Sequence, residues 1–130
     1  MKVVYIAGPY SGPNAWAIEQ NVRRAEEVGL FVAECGAMPL IPHTNTRFFH
    51  GLLTEAFWYE GTMELLKRCD GIMLINGWMD SIGSKAEFEM ALARKIPIFV
   101  QRSMIYNGFI NDYGMDTPSS VVLFKKWCSE

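Results

Sequence analysis

The sequence predicts an α/β fold: a doubly wound parallel sheet of four or five strands, in the order 2-1-3-4 with a fifth at the far edge. Three observations carry this. Short apolar, β-branched runs alternate with longer segments whose apolar residues recur at helical spacing, the pattern of right-handed βαβ crossovers. Glycine, proline or asparagine stands directly after most of these runs, where a strand gives way to a loop. Half of the 130 residues are apolar and a fifth are charged, which suits one ordinary domain with its own core and rules out disorder.

Taken in order, Val3 to Ala7 is an apolar run ended by Gly8-Pro9, a buried strand followed by a loop. From Ala15 to Cys35 the residues Ile18, Val22, Ala25, Val28 and Val32 recur at helical spacing, and Gly36 stands where a left-handed cap is wanted. Met38 to Pro42 reads as a second strand, placed at a sheet edge by its prolines. Thr44 to Leu53 is loop-like and aromatic, and Thr54 to Arg68 is helical. Gly71 to Ile75 is the third strand, Ser84 to Lys95 a third helix and Ile96 to Val100 a fourth strand. Turns follow around Tyr106-Asn107-Gly108 and Asn111-Asp112-Tyr113-Gly114, and Ser119 to Trp127 fits a fifth strand or a short helix equally well. With no linker or repeat in view, the whole of 1–130 reads as one domain.

Composition excludes several function classes. A formal charge of −2 and a pI near 5.7 leave no basic field to hold duplex nucleic acid. No apolar run approaches the ~20 residues that span a bilayer, and Met1 to Tyr5 lacks the apolar stretch of a signal peptide. Cys35, Cys69 and Cys128 are odd in number and scattered, which fits neither a disulfide framework nor a zinc site and points to a reducing cytoplasm.

In such a sheet ligands bind at the carboxyl ends of the strands, where neighbouring strands send their connections to opposite faces. Strands one and three make that crevice, and two segments converge on it: Gly8-Pro9-Tyr10-Ser11-Gly12 and Asn76 to Gly83. Free backbone amides at a helix start there favour an anion such as phosphate, although Gly8 and Gly83 also suit plain tight turns. On the third helix Lys85 and Glu89 fall together on the solvent side, while Glu87 lies opposite with Met90 and Ala91. A poorly hydrated carboxylate facing the crevice is a usable nucleophile; the plain alternative is a helix-start acid paired with Arg94. His43 is placed near the crevice or on an ordinary loop. Tyr10, Trp16, Phe48, Phe49 and Trp78 supply aromatic surface near the mouth, for stacking or for packing. His43 and His50 make no metal site with the scattered cysteines.

The segments Tyr5 to Tyr10, Leu65 to Gly71 and Gly77 to Glu87, followed by Ala91, resemble the nucleoside 2-deoxyribosyltransferase superfamily, closest to a small branch common in phages and bacteria and similar to nucleoside 5′-monophosphate N-glycosidases. The likeness covers Val3 to Val100, and its most specific part is Ser81-x-Gly83-x-x-x-Glu87-x-x-x-Ala91. It implies a flavodoxin-like (Rossmann-like) domain that needs no metal or organic cofactor. Glu87 would attack C1′ of a nucleoside or nucleotide, Tyr5 would orient it, and water or a second base would resolve the glycosyl ester. Tyr5 as a packed core tyrosine is the alternative. Ser81, where free-nucleoside transferases carry Asp, implies phosphate binding and hence a monophosphate substrate. Gly8, Pro9, Tyr10, Ser11, Trp78 and Gly83 complete the implied substrate site, and self-association into a dimer or larger oligomer is implied as well. Two positions depart from the pattern: Thr62 stands where an aspartate handles the leaving base's proton, and Ser11 where the hydrolases place arginine. The expected activity is therefore hydrolysis of a nucleotide's N-glycosidic bond; the alternatives are base exchange between nucleosides and a non-catalytic nucleotide-sensing module.

Overall fold

β1 (Val3–Ala7), β2 (Met38–Leu40), β3 (Gly71–Leu74) and β4 (Ile98–Val100) form one parallel sheet in the order β2-β1-β3-β4. Tyr5 lies beside Leu40 on one side and Ile72 on the other, and Met73 lies beside Phe99. This is the flavodoxin-like arrangement that the alternation predicts. The computed structural model describes residues 1–102, 104–106, 109–111 and 114–130; the turns expected at Asn107-Gly108 and Asp112-Tyr113 lie outside the described residues.

The sheet is wound on both faces because successive residues of a strand point to opposite sides. From β1 and β3, Val4, Ile6 and Met73 enter a core with Val28 and Val32 of α1 (Ala15–Glu34) and Phe124 of α5 (Pro118–Ser129). Tyr5, Ala7, Ile72 and Leu74 enter the opposite core, with Met63 and Leu66 of α3 (Glu55–Lys67) and Phe88 and Ala91 of α4 (Ile82–Ala93). Val4 to Ala7 are wholly buried. Each large apolar side chain so buried contributes ~1.5–3 kcal/mol, which makes β1 the spine of the molecule.

Caps set the helix boundaries. The Asn14 side chain accepts from Ala17 N at 2.8 Å to start α1, and Gly36, at φ 105°, ends it as expected. α4 begins two residues earlier than expected, because the Ser81 side chain caps it by accepting from Ser84 N at 3.2 Å. β2 stops at Leu40, since Pro42 opens a short helix, α2 (Pro42–Asn45), where a strand end and loop were expected; proline's fixed φ is pre-set for that first position.

The C-terminal segment resolves as the helix α5, started by the Thr117 cap and Pro118. Among the described residues no fifth strand joins the main sheet. β5 (Met104–Tyr106) and β6 (Phe109–Asn111) pair antiparallel as a separate hairpin, with only a Val100–Gly114 bridge continuing at the β4 edge.

A candidate active site at the carboxyl ends of β1 and β3

Beyond the carboxyl end of β1, a cavity of about 540 Å³ opens on the α3 and α4 side of the sheet. Its lining includes Tyr5 at the floor, the loop Gly8-Pro9-Tyr10-Ser11, His43 of α2, Glu55, Trp58, Tyr59 and Thr62 of α3, and Ser81, Gly83, Ser84 and Glu87 at the start of α4. The glycine-bearing segments singled out from sequence thus converge on one hollow, with the acid of α4 in its wall.

Glu87 is 8% exposed and makes no ion pair with Arg94; the ion pairs among the described residues join Glu19 to Arg23 and Arg47, and Glu64 to Arg68. Lys85 and Glu89 form none either. Burial lifts the Glu87 carboxyl to about 7, and the neighbouring Tyr5 hydroxyl pulls the other way. Burial, and then the charge of Glu87, pushes the Tyr5 hydroxyl far above the ordinary phenol range, so it is a neutral donor throughout the accessible pH range. Thr62 of α3 is the third polar group of this cluster, acting on the same hydroxyl. Glu60 and Glu64 do not line the cavity, and Glu64 is engaged by Arg68 at 3.5 Å.

The loop after β1 is held from behind by two buried side chains. His43 Nε2 donates to the carbonyls of Gly8, at 3.1 Å, and Pro9, at 3.0 Å. The Asn21 side-chain amide of α1 donates to the carbonyls of Tyr10, at 3.0 Å, and Ser11, at 3.2 Å. Four consecutive carbonyls are thereby fixed, and the segment forms a defined wall. Burial pushes the His43 imidazole below its ordinary range; the neutral ring then donates at Nε2 and carries an acceptor lone pair at Nδ1. Gly8 is required by close approach, because a Cβ there would overlap the Ile75 side chain at the end of β3.

Four buried side-chain polar atoms have no hydrogen-bond partner among the described residues: Tyr5 Oη, His43 Nδ1, Trp58 Nε1 and Ser84 Oγ. Each belongs to a residue that lines this one cavity. Buried polar groups are paired in the great majority of cases, so such a concentration sets the wall of this cavity apart from the rest of the described core.

Trp78, expected from sequence at the ligand, is instead a core residue. It is 3% exposed and packs on Phe88 with ring centroids 4.9 Å apart, turned inward by the 3₁₀ turn Trp78–Asp80. Trp16, Phe48 and Phe49 are solvent-exposed and do not line the hollow. The aromatic surface comes from Tyr10, as expected, and from Trp58 and Tyr59. Sequence reasoning passed over Glu55, Trp58, Tyr59, Asn21 and Ser84. The available signal lay on α3, where Glu55, Trp58 and Thr62 follow the i, i+3, i+7 spacing of a single face.

Two other kinds of site find no support in the geometry. Among the described residues, no three His, Cys, Asp or Glu side chains group to hold a metal ion. The three cysteines are free and buried, and burial raises each thiol, Cys69 to about 11, so none offers a ready thiolate. No described helix is long and apolar enough to cross a membrane.

Solved structures share this architecture. A 2-deoxyribosyltransferase from Bacillus psychrosaccharolyticus superimposes with a TM-score of 0.57 at 20% identity, over 81% of this chain and 77% of the other. A 2-deoxyribosyltransferase from Leishmania mexicana does so with a TM-score of 0.57 at 17% identity, over 88% of this chain and 81% of the other. At these identities the likeness establishes the fold of the nucleoside 2-deoxyribosyltransferases. No curated protein sequence matches the chain. Residues 2–100, which hold the four-stranded sheet and every cavity-lining residue named above, match a family model described as Domain of unknown function (DUF4406), and the chain belongs to that family.

Proposed function

We propose that the protein cleaves the N-glycosidic bond of a nucleoside-type substrate, with Glu87 as nucleophile and Tyr5 as the group that orients it. The observation that carries this reading is a buried carboxyl beside a neutral phenol, both lining one cavity at the carboxyl end of β1. A Glu87 oxygen forms a bond to C1′ as the C1′–N bond breaks, and that electron pair leaves on the base, which takes up a proton. Water then attacks C1′, loses its proton and releases the carboxylate. The low-polarity setting suits such chemistry, since an unsolvated carboxylate stabilises a cationic sugar strongly. No step calls on a metal or organic cofactor. The chain is read as one domain of the 2-deoxyribosyltransferase type.

For the substrate's 5′ end two readings each have an observation in their favour. The start of α4, with Ser81, Gly83 and the unpartnered Ser84 hydroxyl, suits the monophosphate inferred from Ser81. Against that, the Ser81 oxygen is already engaged by Ser84 N, and the cavity lining holds three carboxylates (Glu55, Asp80 and Glu87) with no lysine or arginine. A phosphate dianion has no fixed cation there, which favours the uncharged nucleoside and, with it, base exchange. Incubation with nucleosides, their monophosphates and free bases, followed by chromatography, separates the readings. Free base with sugar phosphate indicates monophosphate hydrolysis, and exchanged bases indicate transfer. Binding without turnover points to a sensing module and overturns the proposal.

Self-association belongs to the same reading. Phe48, Leu52 and Ile82 are 81%, 72% and 84% exposed; Ile82 lines the cavity, Phe48 lies between the lining residues Thr46 and His50 in sequence, and Leu52 between His50 and Glu55. A second copy of the chain would cover them.

A further inference from the structure

We infer that the exposed end of α3 reads the nucleobase, with Trp58 as hydrogen-bond donor and Glu55 as acceptor, and that the site selects bases bearing an amino group beside a ring acceptor. This rests on the proposal that Glu87 attacks the sugar. With the sugar against Glu87 and Tyr5, the base must lie along one of two walls. The α4 wall offers hydroxyls and backbone amides; the α3 wall offers Trp58 and Tyr59, with Tyr10 also lining the hollow. A flat aromatic ring belongs with the aromatic side chains.

On that wall Thr62, Trp58 and Glu55 succeed one another along one face of α3, leading outward from Tyr5. Trp58 and Glu55 are one turn apart, within ~6 Å between their Cβ atoms, so the two side chains can converge on one base edge. Indole nitrogen donates only and carboxylate oxygen accepts only. Trp58 Nε1 is buried and has no partner among the described residues, and its ring is fixed edge-on to Phe57, at 5.1 Å, and against Phe49, at 5.9 Å. A base that answers this pair carries a ring acceptor next to an exocyclic amino group, as adenine, cytosine and guanine do. Thymine and uracil flank their single N–H with two carbonyl oxygens, which a carboxylate repels.

The test measures equilibrium binding and base release for nucleosides of each base with the wild type, Trp58→Phe and Glu55→Gln. Phenylalanine keeps an aromatic ring against Phe49 and Phe57 and removes the donor. We expect amino-bearing bases to bind at least about tenfold more tightly than thymine, as one charge-assisted hydrogen bond allows. Each variant should shrink that ratio by about tenfold, whereas a merely structural defect lowers all bases alike. Unchanged ratios in both variants, equal affinity for all bases in the wild type, or no nucleoside binding at all would overturn the inference. Base-selective binding lost in the variants, without release of any base by the wild type, would uphold the α3 wall and instead sink the reading of Glu87.

Discussion

The acidity of one carboxyl carries the chemistry. Because burial lifts Glu87 from 4.5 to about 7, ionising it costs the folded protein on the order of 3 kcal/mol. That cost is absent below about pH 4.5, grows as pH rises and is complete above about pH 7, so the folded state loses stability across this window. Glu87→Gln should abolish that part of the pH dependence, raising the melting temperature at pH 8 and leaving it little changed at pH 4; equal effects at both pH values would contradict the assignment. The nucleophile acts as carboxylate, so kcat/KM should climb with an apparent pKa near 7. Tyr5→Phe removes the donor that holds Glu87 down. It should therefore shift this acid limb to higher pH and lower the rate about 10- to 100-fold, the worth of a hydrogen bond to a charged group. A rate loss with an unmoved limb would make Tyr5 a packing residue only.

At the scale of elements, the wall after β1 is fixed by side chains from two other elements, and its rigidity is testable. Asn21→Ala frees the carbonyls of Tyr10 and Ser11 and should cost about 1–3 kcal/mol in denaturant unfolding while raising KM more than it lowers kcat. Gly8→Ala should be worse than Gly83→Ala, since the first overlaps Ile75 and the second meets nothing nearer than Ser81 Oγ at 4.0 Å. Comparable melting temperatures for the two would refute the close-packing argument. These elements also show what a sequence discloses. β1 and α1 were readable because Gly8-Pro9 and Gly36 are local signals with one physical meaning each, whereas the sequence places the α4 start two residues late because it marks Ser81 as a ligand contact and not as the cap. The partner of His43 was not readable, as it is a backbone carbonyl 35 residues away. Ser119 to Trp127 was ambiguous because its apolar residues fit both periods; only Thr117-Pro118 signals the cap that makes α5 a helix. Trp58 and Trp78 look alike in sequence, and only the packing of α4 against the 3₁₀ turn sends the latter inward.

For the whole molecule, the winding of the sheet decides where chemistry is possible. Alternate residues of β1 feed two cores, so Tyr5 and Ala7 face α3 and α4 while Val4 and Ile6 face α1 and α5. This puts the phenol on the same face as Glu87. α5 lies beyond residues 2–100, and none of the described cavity-lining residues comes from it. α5 instead closes the opposite core through Phe124 and Trp127, against Phe99. Trp127→Ala should accordingly lower stability by about 3–5 kcal/mol while leaving the KM of the surviving folded protein within about twofold; a large rise in KM would tie α5 to the site. Sedimentation of the purified protein should show a dimer or larger species, reduced by Phe48→Ser combined with Leu52→Ser. A monomer at micromolar concentration would argue against the exposed rim as a self-association surface.

The central claim is that Glu87 becomes bonded to sugar. Acid-quenched protein mixed with a turned-over nucleoside or nucleotide should carry, by intact mass and peptide mapping, one glycosyl unit on the peptide containing Glu87, and the Glu87→Gln protein should carry none. Base release with no adduct on that peptide, or undiminished release by Glu87→Gln, would contradict it.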